Sequence, residues 1–254
     1  MAVTYAADGP LGTITLDNPP ANSYDVEMIA ELGDAIDAAA ADPSSRVVVI
    51  RSASEKFFCA GADIKRFLAN DVEANMAMIR TAHAVLGRMA TADKAFVAWI
   101  AGHALGGGLE IALACDLRYA AEGSFRLGTP EVTLGLLPGN GGTQRLPRLI
   151  GRGPALELLL TGRQVTPDEA ARLGLVGGLF ADEAAFTEHV ERLAAGPPVA
   201  IAAIKRCVHE GAERTLDEGL ALERELIERL FRSRDATEGL NAFVEKRSPE
   251  FVGA

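Results

Sequence analysis

The sequence predicts an α/β core followed by a run of helices, and three observations predict it. Short, continuously apolar segments such as RVVVIRS (Arg46–Ser52) and KAFVAWI (Lys94–Ile100) read as strands buried on both faces. Stretches with apolar residues three and four apart separate them, as in βαβ units wound around a sheet. After Gly139 the strand-like segments give way to helical patterns.

Taken in order, LGTITL (Leu11–Leu16) alternates and is rich in β-branched residues, which predicts a strand. DNPPANS breaks it. Tyr24–Ala41 then places Met28, Ile29, Leu32 and Ile36 at the spacing of an amphipathic helix. The buried strand Arg46–Ser52 leads through the loop ASEKFFCAGAD to a long helix over about Val72–Met89. Lys94–Ile100 and DLRYAA (Asp116–Ala121) are the next strands. Helices are predicted over Pro154–Thr161, Pro167–Leu173, Glu183–Ala194, Val199–Glu210, Leu216–Phe231 and Thr237–Lys246, with Pro and Gly at most joints. No repeat or low-complexity linker interrupts the chain.

Composition narrows the function. A 48% hydrophobic fraction over 254 residues is ample for a packed core, and 24% charged residues is ordinary for a soluble protein. No apolar run reaches the ~18 residues a membrane span needs. MAVTYAADGP lacks the basic start and apolar stretch of a signal peptide. Cys59, Cys115 and Cys207 are widely spaced and odd in number, so neither a disulfide framework nor a metal knuckle is expected. The expected setting is cytoplasmic. A net charge of −10 argues against nucleic acid or an anionic membrane as partner. A small anionic ligand needs only a local basic group, and Lys56, Lys65 and Arg66, or Lys246 and Arg247, offer one.

Three stretches carry candidate chemistry. In AGHALGGGLEIALACD a strand runs through glycines into a helix whose one charge, Glu110, lies among Ile111, Ala112, Leu113 and Ala114. Burying an unpaired carboxylate costs roughly several kcal/mol, so something must use or satisfy it. Glycines at a helix start leave N–H donors free for an oxygen bearing negative charge, although packing alone also explains them. The spacing Gly102, Gly106, Gly107, Gly108 does not fit the G-x-G-x-x-G dinucleotide turn. FFCAGADIKRF (Phe57–Phe67) offers a second glycine turn after a strand. In LGTPEVTLGLLPGNGGTQRL (Leu127–Leu146), Thr129, Pro130 and Glu131 read as N-cap, first helical residue and first-turn acid. Two glutamates at helix starts beside glycine turns can divide acid and base duties, because burial raises a pKa and a helix N-terminus lowers it. The histidines His83, His103, His189 and His209 show no ligand spacing, and His103 is expected to be a hydrogen-bonded core residue. Cys59 and Cys115 read as packing.

FFCAGADIKRF, AGHALGGGLEIALACDLRYA and GTPEVTLGLLPGNGGTQRLPRLIGRGPALELLLTGRQVTPDEAARLGLV resemble the enoyl-CoA hydratase/isomerase (crotonase) family, in order along nearly the whole chain. The resemblance implies a crotonase-like α/β fold, with repeated ββα units forming a spiral core over 1–195 and a helical trimerisation region over 196–254. It implies an acyl-CoA thioester substrate, no separate cofactor and no metal. The implied oxyanion hole is made by the N–H groups of Ala62 and Gly107. Glu110 and Glu131 match the two acids of family hydratases, with Glu110 acting on water and Glu131 delivering a proton. Gly139 matches a glycine whose backbone lies beside the second acid and the water.

The resemblance also places CoA along AGADIK, implicating Ala60, Asp63, Ile64 and Lys65, with Lys56 nearby. Phe243 and Lys246 match a tail that reaches the CoA of an adjacent subunit in a homotrimer or a homohexamer. PPANSYDVEM departs from the family pattern, putting Tyr24 and Asp25 near the thioester and pantetheine. Hydration of a trans-2-enoyl-CoA is the implied reaction. A Δ3,Δ2-enoyl-CoA isomerase, which leans on the PE glutamate, and a silent acyl-CoA-binding homologue are the alternatives, and the acidic charge makes an RNA-binding role unexpected.

Overall fold

The computed structural model describes residues 1–254. Strands β1 (Val3–Asp8), β2 (Leu11–Leu16), β3 (Val47–Ser52), β5 (Ala95–Ile100), β7 (Leu117–Ala121) and β9 (Leu179–Phe180) form one sheet in that order. Only β1 is antiparallel to its neighbour, as the tight β1–β2 turn requires. A second, three-stranded parallel sheet holds β4 (Phe57–Cys59), β6 (His103–Leu105) and β8 (Leu127–Gly128).

The chain thus repeats a unit. One strand enters the large sheet, the next enters the small one, and helix follows: β3–β4 then α2 (Ile64–Ala69) and α3 (Val72–Thr91), β5–β6 then α4 (Gly107–Ala114), β7–β8 then a 3₁₀ turn (Pro130–Leu134). Each repetition moves one strand along both sheets, which generates the spiral.

The continuous apolar strands follow from packing on both faces. Val48 and Ile50 of β3 join a core with Ile29, Leu32 and Ile36 of α1 (Val26–Ala41) and Val85, Leu86 and Met89 of α3. Val47 and Val49 point the other way, toward Phe186, Val190 and Ala194 of α8 (Glu183–Ala194). Trp99 of β5 stacks on Phe186 there, ring centroids 4.3 Å apart. Cys59 and Cys115 are fully buried packing residues.

Helices α5 (Gly142–Ile150), α6 (Arg152–Thr161) and α7 (Pro167–Arg172) follow the turn, and α9 (Pro198–Gly211), α10 (Leu216–Leu230) and α11 (Arg234–Glu245) complete the chain. Helix α9 is pinned to the core by Lys205, only 8% exposed. Its ammonium donates to the carbonyls of Met89 (2.5 Å) and Lys94 (2.7 Å) and pairs with Asp116 at 2.9 Å. Asp116 also accepts from His209 Nε2 at 2.8 Å and from the Phe96 N–H at 2.7 Å.

The structure extends the sequence reading at β1, the small sheet, α2, α5 and β9. Strands of two or three residues are too short to show a period, and α5 hides behind glycines and its internal Pro147. One expectation is corrected. Thr129 does stand before a helical turn, but the turn is 3₁₀ and the Thr129 hydroxyl makes no capping bond. With ψ of 82° it lies off the extended geometry that aims a cap at the following N–H groups.

Candidate active site

The site forms where the ends of the small-sheet strands, the start of α4, the 3₁₀ turn and the loop before α5 meet. Asn22 holds the first wall. Its Nδ2 donates to Ser52 Oγ at 2.7 Å and to the Phe58 carbonyl at 3.1 Å, fixing the loop between β2 and α1 against β4. Two residues on, the Tyr24 N–H donates to the Gly61 carbonyl (2.9 Å) and the Tyr24 carbonyl accepts from Asp63 (2.9 Å). This bridge engages the residues on either side of Ala62. The Ala62 N–H faces away from it and meets no acceptor in the chain.

The second turn lies against the first. A Cβ added to Gly61, whose φ is +93°, would meet the Leu105 carbonyl at 2.9 Å and the Gly107 nitrogen at 3.3 Å. Gly106 takes φ +54°, ψ −131°, a region closed to residues with a side chain, and α4 starts immediately after it. As the first helical residue, Gly107 has no acceptor one turn back for its N–H. The two turns that carry the predicted donors, Ala62 and Gly107, therefore lie against one another.

Glu110, one turn into α4, is 1% exposed. The N–H groups of Asn140 and Gly142 both donate to its Oε1 at 2.7 Å, so the carboxylate caps the start of α5. Burial pushes its pKa up, while those two N–H bonds and the nearby Arg145 guanidinium pull it back. Arg145 is held in place by donating to the Asn140 carbonyl at 2.8 Å. That satisfies the lone charge among apolar residues.

Glu131 is placed differently. It lies on the 3₁₀ turn, its Oε2 buried with no hydrogen-bond partner, its Oε1 against Gly106. Burial first, then the charge of Glu110, push its pKa up to about 7. Burial raises both carboxyls; Glu110 has two N–H bonds and a guanidinium that offset part of the rise, and the Glu131 Oε2 has no hydrogen-bond partner.

Gly139 offers its carbonyl to His83 Nε2 at 2.6 Å and its α-carbon to Ile79. The amides that reach Glu110 belong to Asn140 and Gly142, which sequence reasoning missed. Their signal was an asparagine between glycines in PGNGG, one helix-start away from a buried acid. Asp63 accepts from the Lys65 and Arg66 N–H groups and starts α2. Ile64 is 47% exposed, and Lys65 and Lys56 lie at the surface near it in sequence. Arg66 is engaged by Asp25 at 3.1 Å, and Arg247 by Glu238 and Glu245. Lys56, Lys65 and Lys246 make no ion pair within the chain. Phe243 is 84% exposed at the end of α11, and Lys246 ends that helix in the left-handed conformation. His103 accepts from the Arg126 N–H at 3.1 Å as expected, but it is half-buried beside Phe57 and not a core residue.

The fold and this site define a crotonase-type protein. Over all of both chains it superposes on an enoyl-CoA hydratase from Bacillus anthracis, with a TM-score of 0.94 and 36% identity. The enoyl-CoA hydratase/isomerase family model matches residues 7–254, and the chain belongs to that family. It is 38% identical to a probable enoyl-CoA hydratase of Bacillus subtilis over 99% of each chain, and 36% identical to the 2,3-dehydroadipyl-CoA hydratase of Escherichia coli over 94% of each.

Proposed function

We propose that the protein is an enoyl-CoA hydratase, adding water across the 2,3 double bond of a trans-2-enoyl-CoA to give a 3-hydroxyacyl-CoA. The observation that carries this reading is the placing of two acids, Glu110 with two N–H donors on its carboxylate and Glu131 with a buried oxygen that has no partner, beside two turns with free N–H donors. In this reading Glu110, ionised, takes a proton from the water whose oxygen bonds to C3. The π electrons move to the thioester oxygen, where the Ala62 and Gly107 N–H groups stabilise the enolate. One such donor is worth ~3–4 kcal/mol of barrier. Glu131, protonated, delivers its proton to C2 as the enolate collapses. Gly139 sets the position of the loop that holds Glu110.

The thioester's CoA portion would run along Ala60, Asp63, Ile64 and Lys65, with Lys56 beside it. The unpaired state of the three lysines Lys56, Lys65 and Lys246 supports a role toward phosphate, and Phe243 and Lys246 would serve a neighbouring subunit. The exposed apolar side chains Phe231, Leu240, Phe243 and Val244 support a homotrimer or homohexamer. Sedimentation equilibrium giving a monomer mass would remove that element.

The test is to measure Glu110→Gln and Glu131→Gln on both crotonyl-CoA and a 3-enoyl-CoA. Each change keeps shape and removes proton transfer, so hydration kcat should fall by at least ~10²-fold. The double variant should be far less than multiplicatively worse, because the two groups serve one event. An isomerase would instead lose 3-enoyl-CoA turnover only in Glu131→Gln. Parent-rate hydration by Glu110→Gln refutes the two-acid mechanism.

A further inference from the structure

We propose that the Tyr24 phenol is a third hydrogen-bond donor to the thioester oxygen, acting beside the N–H groups of Ala62 and Gly107. This rests on the acyl-CoA reading of the site and deepens it. Tyr24 is 2% exposed, and its backbone flanks Ala62 on both sides through the Gly61 and Asp63 bonds. Its ring reaches the other turn. The phenol oxygen stands 1.8 Å from the point a Cβ on Gly107 would occupy, so it touches the Gly107 α-carbon. A tyrosine therefore spans the two turns that supply the backbone donors.

The direction of the phenol proton follows from its partners. Asn140 Nδ2 donates to the phenol oxygen, and the Asn140 main-chain N–H holds Glu110. With a donor already on its oxygen, the phenol has its own O–H left to give, and no protein acceptor takes it. Burial, and after it the charge of Glu110, raise the phenol's pKa well above its usual value, so that proton stays in place across the working range. Asn140 Oδ1 is likewise buried without a partner. A buried O–H with no acceptor, in contact with Gly107, is a donor awaiting a ligand oxygen. A phenylalanine would fill the same volume; the hydroxyl oxygen serves Asn140, and its proton is left for a ligand.

The experiment compares the parent and Tyr24→Phe in two ways. The first is the absorption band of a bound 3-aryl-2-enoyl-CoA, which moves to longer wavelength as the thioester carbonyl is polarised. The second is steady-state hydration of crotonyl-CoA. The expected result is a smaller red shift in Tyr24→Phe, with kcat down about tenfold or more and KM changed less than about twofold, because the donor acts mainly as charge develops. Parent-like circular dichroism and Tm accompany this result, since the ring remains. Equal red shifts in parent and variant overturn the assignment, whatever happens to kcat. The band requires binding and no turnover, so a parent that binds the chromophore without hydrating crotonyl-CoA would sink the hydratase reading and leave this comparison decisive.

Discussion

Glu131→Gln should make the protein more stable at pH 8 and leave its stability nearly unchanged at pH 5. The parent carboxyl titrates near 7 in the folded chain against 4.5 when free. Below pH 4.5 both states hold the proton and the group contributes no pH dependence. Between 4.5 and about 7 the unfolded chain releases the proton while the folded chain keeps it, so stability falls as pH rises, and above that window the loss is complete. Converted without screening, that shift corresponds to a loss of about 3 kcal/mol. The side chain is partly exposed, and solvent screening reduces the expected loss to about 1–2 kcal/mol. Glutamine cannot ionise and escapes it. Urea denaturation of parent and variant at pH 5 and pH 8 measures the difference directly. A gap between the two proteins that is the same at both pH values would refute the claim that burial holds Glu131 neutral.

Three further outcomes follow from the same geometry. Hydration kcat should decline as pH rises through about 7, where Glu131 loses the proton it must donate, and also in acid, where Glu110 gains one; a rate flat from pH 6 to 9 removes Glu131 as the acid. Gly108→Ala should destabilise by at least ~1–3 kcal/mol in a melt, because the new Cβ would lie 2.1 Å from the Cys59 carbonyl, and backbone has little room to yield. Lys246→Ala should raise KM for CoA thioesters by up to about fivefold and spare kcat, as expected for an exposed ion pair that binds ground and transition states alike; a kcat loss at constant KM would show that Lys246 acts elsewhere.

The parts of the fold legible in the sequence are those where one packing demand dominates. Val47–Ile50 are apolar without a break because α1 and α8 cover opposite faces of β3, and that demand is written in consecutive letters. Helix α8 was read to the residue because Asp182 caps it and Phe186, Val190 and Ala194 face inward four apart. The small sheet is illegible because its strands are two or three residues long and pair Phe57 with His103 and Ala104 with Leu127, far apart along the chain. At the site, Glu110 announced itself by its apolar neighbours. Asn140 and Gly142 did not, because what they supply is main-chain N–H, which every residue but proline has; only the folded loop decides whose amide points at the acid. Tyr24 was visible as a departure from the family pattern, while its contact with Gly107 depends on two turns far apart in the chain.

The Lys205 ammonium has a consequence for how this protein can be divided. The Met89 carbonyl lies in the last turn of α3, where no intrahelical N–H remains to bind it, and the charge from α9 takes that place. The same ammonium neutralises Asp116, which in turn receives the Phe96 amide of the central strand β5. A fragment ending near residue 195 would keep Asp116 and the helix end and lose the ammonium that joins them. Shortened genes, split reporters and fusions inserted at the helical boundary should therefore yield an insoluble α/β half, and circular permutation at that joint should work only where the two pieces remain tethered.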